Sequence, residues 1–126
     1  MAIDHDADQP AFLKPGSATS EDFERLDLRV GRILSASPLE GARKPAYRLR
    51  IDFGPGGERL SSAQLTQAYP DPRTLVGRLV VAVVNLPPRR VAGVESEVLV
   101  LGALASGGRV PLLSVDAGAE PGQRVA

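Results

Sequence analysis

Seven residues, YRLRIDF at 47 to 53, restrict this chain more than any other stretch. Tyr47, Leu49, Ile51 and Phe53 alternate with Arg48, Arg50 and Asp52. A period of two is the repeat of a strand with one buried and one wet face. Further short apolar units follow the same logic: LRVGRIL (28–34), RLSSAQL (59–65), RLVVAVVN (78–85), SEVLVLGAL (96–104), VPLLSV (110–115) and a closing segment behind the Pro121-Gly122 turn. Gly and Pro punctuate the gaps, as in GPGGE at 54 to 58. Roughly five to seven short strands at such spacing predict an all-β chain, folded as a closed or nearly closed small barrel or as a sandwich.

Two departures from the strand pattern carry information. In LRVGRIL, Leu28 and Val30 share one parity and Ile33 has the other, with Gly31 at the slip. A glycine there predicts a bulge or the tight coiling of a small barrel. Ahead of the strands, Ser20 is expected to cap a short helix, with Glu21 and Asp22 against the positive end of its dipole. Phe23 and Leu26, three apart, would pin that helix to the domain. Other helical signal is limited to single turns near LTQAY or RTLVG. Residues 1–18 are polar, proline-containing and aperiodic. The expected organisation is a flexible acidic N-terminal arm over 1–18 and one domain over 19–126.

A chain of 126 residues holds one domain with a real core. With aromatic residues at 4%, that core must be built mainly from Val, Leu, Ile and Ala. The formal net charge of zero hides an uneven distribution. Residues 29 to 90 hold eleven Arg or Lys against four acids, which leaves +7 in the middle of the chain. That excess forms a footprint for a polyanion if the fold gathers it on one face, and an ordinary set of solvated strand faces if it does not. Without cysteine, disulfides and Cys-based metal sites are excluded. The acidic start MAIDHDADQP lacks the basic and apolar regions of a signal peptide, and uncharged runs such as 79 to 88 are about half a membrane span. A cytoplasmic protein without membrane insertion is expected.

Catalytic chemistry finds little to work with. The only histidine is His5, in the arm, so a Ser-His pair would depend on a mobile base. DHDAD places Asp4, Asp6 and Asp8 like the start of a calcium loop, but Gln9 and Pro15 stand where that loop needs Gly and Glu. GALASGGR has spaced glycines without the following Lys-Ser/Thr of a phosphate loop, and reads as a hairpin turn. No enzyme activity, metal or cofactor is expected.

The basic set remains. Arg43 and Lys44 precede the alternating strand, Arg48 and Arg50 occupy its outward face, and Arg89 and Arg90 sit in what reads as a second loop, stiffened by Pro87-Pro88. Small barrels bind oligonucleotides with loops and outward strand faces of this kind, and Arg suits both phosphate and an unpaired base. For Arg48 and Arg50, a plain wet strand face explains the residues equally well. Ser61, Ser62 and Gln64 are polar for a core-closing strand; they can bond a base edge or simply belong to a sheet edge. Pro87, Pro88 and Tyr47 could line a peptide groove, although Tyr47 also fits the core.

DFERLDLRVGRIL, GARKPAYRLRIDFG, SSAQLTQAY, LVGRLVVAVVNLPPRRVAGVESEVLVLGA and PGQRV together resemble the tRNA-binding domain family, over about residues 21 to 126. The resemblance implies an OB-fold, a five-stranded Greek-key barrel, with a short N-terminal helix and extra C-terminal strands. KPAYRL, SSAQ and SEVLVLG resemble the export-related CsaA chaperones within that family, where appended synthetase modules look like ADKL, VSG and SxGM. That branch implies a homodimer that binds unfolded or exported polypeptides, with the secretion machinery as a further partner, and that has affinity for tRNA. A stand-alone tRNA-binding protein without chaperone role is the alternative. Carried over by position, the implied surface is Arg43, Lys44, Ser61, Ser62, Gln64, Asn85, Arg89, Arg90, Ser96 and Glu97.

Overall fold

A computed structural model describes residues 11–126; His5 and the DHDAD acids lie outside the described residues. The helix α1 covers Ser20–Glu24 and the strands are β1 (Leu28–Pro38), β2 (Tyr47–Asp52), β3 (Glu58–Ala63), β4 (Leu79–Val83), β5 (Arg89–Val91), β6 (Val94–Ser96) and β7 (Leu99–Val100). Five of them form one sheet in the order β3-β2-β1-β4-β7, and β5 pairs with β6 as a separate hairpin. The pairings β1–β2, β2–β3, β1–β4 and β4–β7 are all antiparallel. The sheet coils into a nearly closed barrel, the expected OB-fold.

The alternation in β2 is realised residue for residue. Tyr47, Leu49, Ile51 and Phe53 are buried in the barrel interior with Ile33, Leu65, Leu75, Val80, Ala82 and Val98, while Arg48 and Arg50 are exposed. The Tyr47 hydroxyl donates to the Tyr69 carbonyl at 2.7 Å, which places this ring in the core and not in a groove. The continuous apolar run of β4 has a different cause. Val80 and Ala82 face the interior, and Val81 and Val83 join Leu28 in a second cluster on the outside, packed against Leu101, Val115 and Val125. A strand covered on both faces has no wet parity to display.

That outer layer also explains the slip at Gly31. Leu28 belongs to the outer cluster and Ile33 to the inner one, so the buried face of β1 changes along its length. The bulge falls not at Gly31 but between Ile33 and Ser35, where the register to β2 shifts. At Gly31 the requirement is space, since a Cβ there would lie 2.6 Å from Ile51 Cγ2 and 2.8 Å from Phe53 Cε1. The C-terminal segment holds the outer layer by backbone bonds from Gly122 to Val30 and from Val125 to Leu28, each 2.8 Å. Beyond β7 the chain is tied by single bridges such as Gly102–Leu112 and Arg29–Arg124, in place of full strands.

At the N-terminus the cap is Thr19, one residue before the expected Ser20. Its hydroxyl accepts from the Asp22 N–H and the Asp22 carboxylate accepts from the Thr19 N–H, a capping box closed in both directions. Phe23 and Leu26 stay 46% and 39% exposed, so they do not pin the helix. The tether is Asn85: its Oδ1 accepts from the Asp27 N–H and its Nδ2 donates to the Arg25 carbonyl, both at 2.8 Å.

Candidate nucleic-acid interface

The barrel closes at a seam between β3 and the segment that follows β6. The outer edge of β3 presents N–H groups that no neighbouring strand takes, and side chains take them instead. Leu60 N–H donates to Glu97 Oε1 at 3.0 Å and Ser62 N–H donates to Ser96 Oγ at 2.9 Å. One backbone bond, Glu97 N–H to the Leu60 carbonyl at 2.8 Å, lies between them. Buried Ser61 donates from Oγ to the Val98 carbonyl at 2.9 Å. The seam thus docks the β5–β6 hairpin beside the barrel wall.

Between that hairpin and the loop before β2 lies a cleft of about 410 Å³. Arg43 and Lys44 enter it from the loop, Ser62 and Gln64 from the end of β3, and Pro87, Arg89, Ser96 and Glu97 from the hairpin side. Ala42, Ala46, Leu86, Val91, Val98 and Leu99 supply an apolar wall. Leu86 and Leu99 keep 38% and 51% of their surface exposed there. Glu97 is not a free anion in this cleft: one carboxylate oxygen is held by the Leu60 N–H and the other lies 3.9 Å from Arg59 Nε. The lining thus sets three cations, Arg43, Lys44 and Arg89, against one carboxylate that Arg59 partly offsets.

The remaining expected residues lie elsewhere. Arg89 and Arg90 stand on strand β5 and not in a loop, and the strand's period of two separates them. Arg89 pairs across from Ser96 and shares the cleft with it, whereas Arg90 pairs across from Glu95 and donates to the Gly93 carbonyl at 3.1 Å. Arg48 is on the outward face of β2, in register with Ser62. Ser61 serves the seam and Asn85 the α1 tether. The apolar lining residues Leu86, Val91 and Leu99 escaped the reading of charges and polar clusters; the parity of Pro87, Arg89 and Val91 was the signal that pointed to Val91.

A nearly closed barrel with the strand order β3-β2-β1-β4-β7 defines the OB-fold class, and comparison gives the chain its family. Residues 28–124 match the family model described as "Putative tRNA binding domain". The chain belongs to the tRNA-binding domain family. Within it, the chain is similar to the solved chaperone CsaA of Bacillus anthracis, with 48% identity and a TM-score of 0.82 over 88% of this chain and 100% of that one. CsaA of Picrophilus torridus is 44% identical with a TM-score of 0.79, over 86% of this chain and 99% of the other. The methionine–tRNA ligase of Xanthomonas campestris pv. campestris (strain 8004) is 41% identical over 120 residues, which is 94% of this chain but 17% of the ligase. The chain thus spans about a sixth of that curated relative.

Proposed function

We propose that this chain is a non-catalytic binding domain whose cleft takes tRNA. The observation that carries this reading is the meeting of Arg43, Lys44 and Arg89 in one cleft, where OB-folds hold oligonucleotides between a strand face and adjoining loops. Among the described residues the cleft lining includes no aromatic ring, so stacking of bases falls to arginine planes and affinity comes mainly from phosphate neutralisation. Filter binding of tRNA tests this: binding is expected at about 50 mM salt and should weaken steeply as salt rises. Absence of binding there, or indifference to salt, refutes it.

A second reading is favoured by a specific observation, the exposed Leu86 and Leu99 in the same cleft. Exposed apolar surface beside cations suits an extended polypeptide, as a chaperone of unfolded or exported chains requires. Similarity to the chaperone CsaA supports this role; a homodimer, a place in the cytoplasm and contact with the secretion machinery are further parts of the same proposal. Suppression of aggregation of a denatured client supports the chaperone role, and light scattering tests the dimer. RNA binding without aggregation suppression leaves the stand-alone tRNA-binding protein.

A further inference from the structure

We propose that the cleft is also the docking site of the chain's own N-terminal segment, residues 4 to 13, which competes there with external ligand. The inference rests on the reading of this cleft as the ligand site, and it names a ligand that the chain itself supplies. Charge is the first argument. Asp4, Asp6 and Asp8 against Lys14 give residues 1 to 18 a side-chain charge of −2, while the cleft presents Arg43, Lys44 and Arg89. The only carboxylate lining that cleft, Glu97, is already bound to the Leu60 N–H and faces Arg59.

Apolar surface is the second argument. Phe12 and Leu13 follow directly on the acids and are 103% and 83% exposed, so nothing in the barrel covers them. The cleft wall holds Leu86 and Leu99, themselves 38% and 51% exposed. Acids followed by two large apolar side chains match cations beside an apolar wall in kind.

Reach is the third. The end of α1 is tied by Asn85, the residue next to Leu86 of the cleft wall. Thr19, at the other end of that helix, is about 7.5 Å away along its axis. Between Thr19 and Leu13 the chain closes a turn, with the Ser17 N–H donating to the Lys14 carbonyl at 3.1 Å; opened out, residues 13 to 18 would span up to about 20 Å. A segment tethered this closely faces the cleft at an effective concentration on the order of millimolar, so weak contacts suffice for occupancy.

The absence of cysteine makes the test direct. In the full-length chain, Ala7→Cys carries a nitroxide and paramagnetic broadening is read at the backbone amides. Leu86, Arg89, Val91 and Leu99 should lose most of their intensity, and Arg89→Glu or about 0.5 M salt should restore it. Phe12→Ser with Leu13→Ser should weaken the broadening, and saturating tRNA should abolish it. Broadening spread evenly over the barrel, or unchanged by Arg89→Glu, overturns the docking; broadening that persists under saturating tRNA overturns the competition. Spin-labelled chains mixed with isotope-labelled ones should show no transfer, and broadening seen only between chains overturns docking within one chain. Failure of tRNA binding with cleft broadening intact would overturn the proposed function and leave the docking standing.

Discussion

At the scale of single residues, a glycine and a pair of arginines mark what can and cannot be read from order alone. The parity slip at Gly31 is visible in the sequence. Its cause is not, because it depends on a C-terminal segment more than ninety residues away covering Leu28. Space at Gly31 is already taken by Ile51 and Phe53, so Gly31→Ala is expected to cost about 1–3 kcal/mol through overpacking. The midpoint of urea unfolding should fall with an unchanged slope. Arg89 and Arg90 look equivalent in PPRR, and only the strand that carries them sends one into the cleft and the other away. Asn85, which only the family resemblance assigns to a binding surface, holds the entry segment at Arg25 and Asp27 through its side chain.

At the scale of elements, the β5–β6 hairpin and its seam set the position of Arg89. Its turn has Ala92 at φ 49° and Gly93 at φ 81°, the left-handed pair that favours Asn-Gly. Ala92→Asn should therefore stabilise the protein by about 0.5 kcal/mol, measurable as a raised thermal midpoint, with tRNA affinity unchanged. Glu97→Leu removes the acceptor of the Leu60 N–H and should cost about 1–3 kcal/mol. Ser61→Ala should cost about 1 kcal/mol for the bond to Val98. Chemical denaturation of both variants checks these values. From sequence, Ser61, Ser62 and Gln64 fit both a base edge and a sheet edge, because a seam satisfied by side chains has the same composition as a binding edge; Ser61 and Ser62 serve the seam, and Ser62 and Gln64 line the cleft. By contrast β2 was legible in full, since nothing outside it decides which face it buries.

At the scale of the whole molecule, the fold brings three of the eleven basic residues of the chain's middle, Arg43, Lys44 and Arg89, to one cleft and leaves the others outside its lining. Alternation and turn spacing narrow the fold to a small all-β barrel or a sandwich, and the family resemblance implies the five-stranded barrel. The cleft could not be anticipated, because it is assembled from a loop, a strand end and a hairpin separated by tens of residues. If that cleft is where tRNA phosphates are neutralised, its three cations set the salt dependence: log Kobs against log salt should fall with a slope of about −2 to −3. The decisive measurement is that titration run in parallel on the native chain, Arg89→Glu and Arg90→Glu, with thermal midpoints recorded for each. A loss of about tenfold or more for Arg89→Glu, with a shallower slope, against a change of less than about threefold for Arg90→Glu at equal stability, is the result this geometry requires. Equal losses for both variants, or full affinity retained by Arg89→Glu, would place tRNA binding outside the cleft and contradict it.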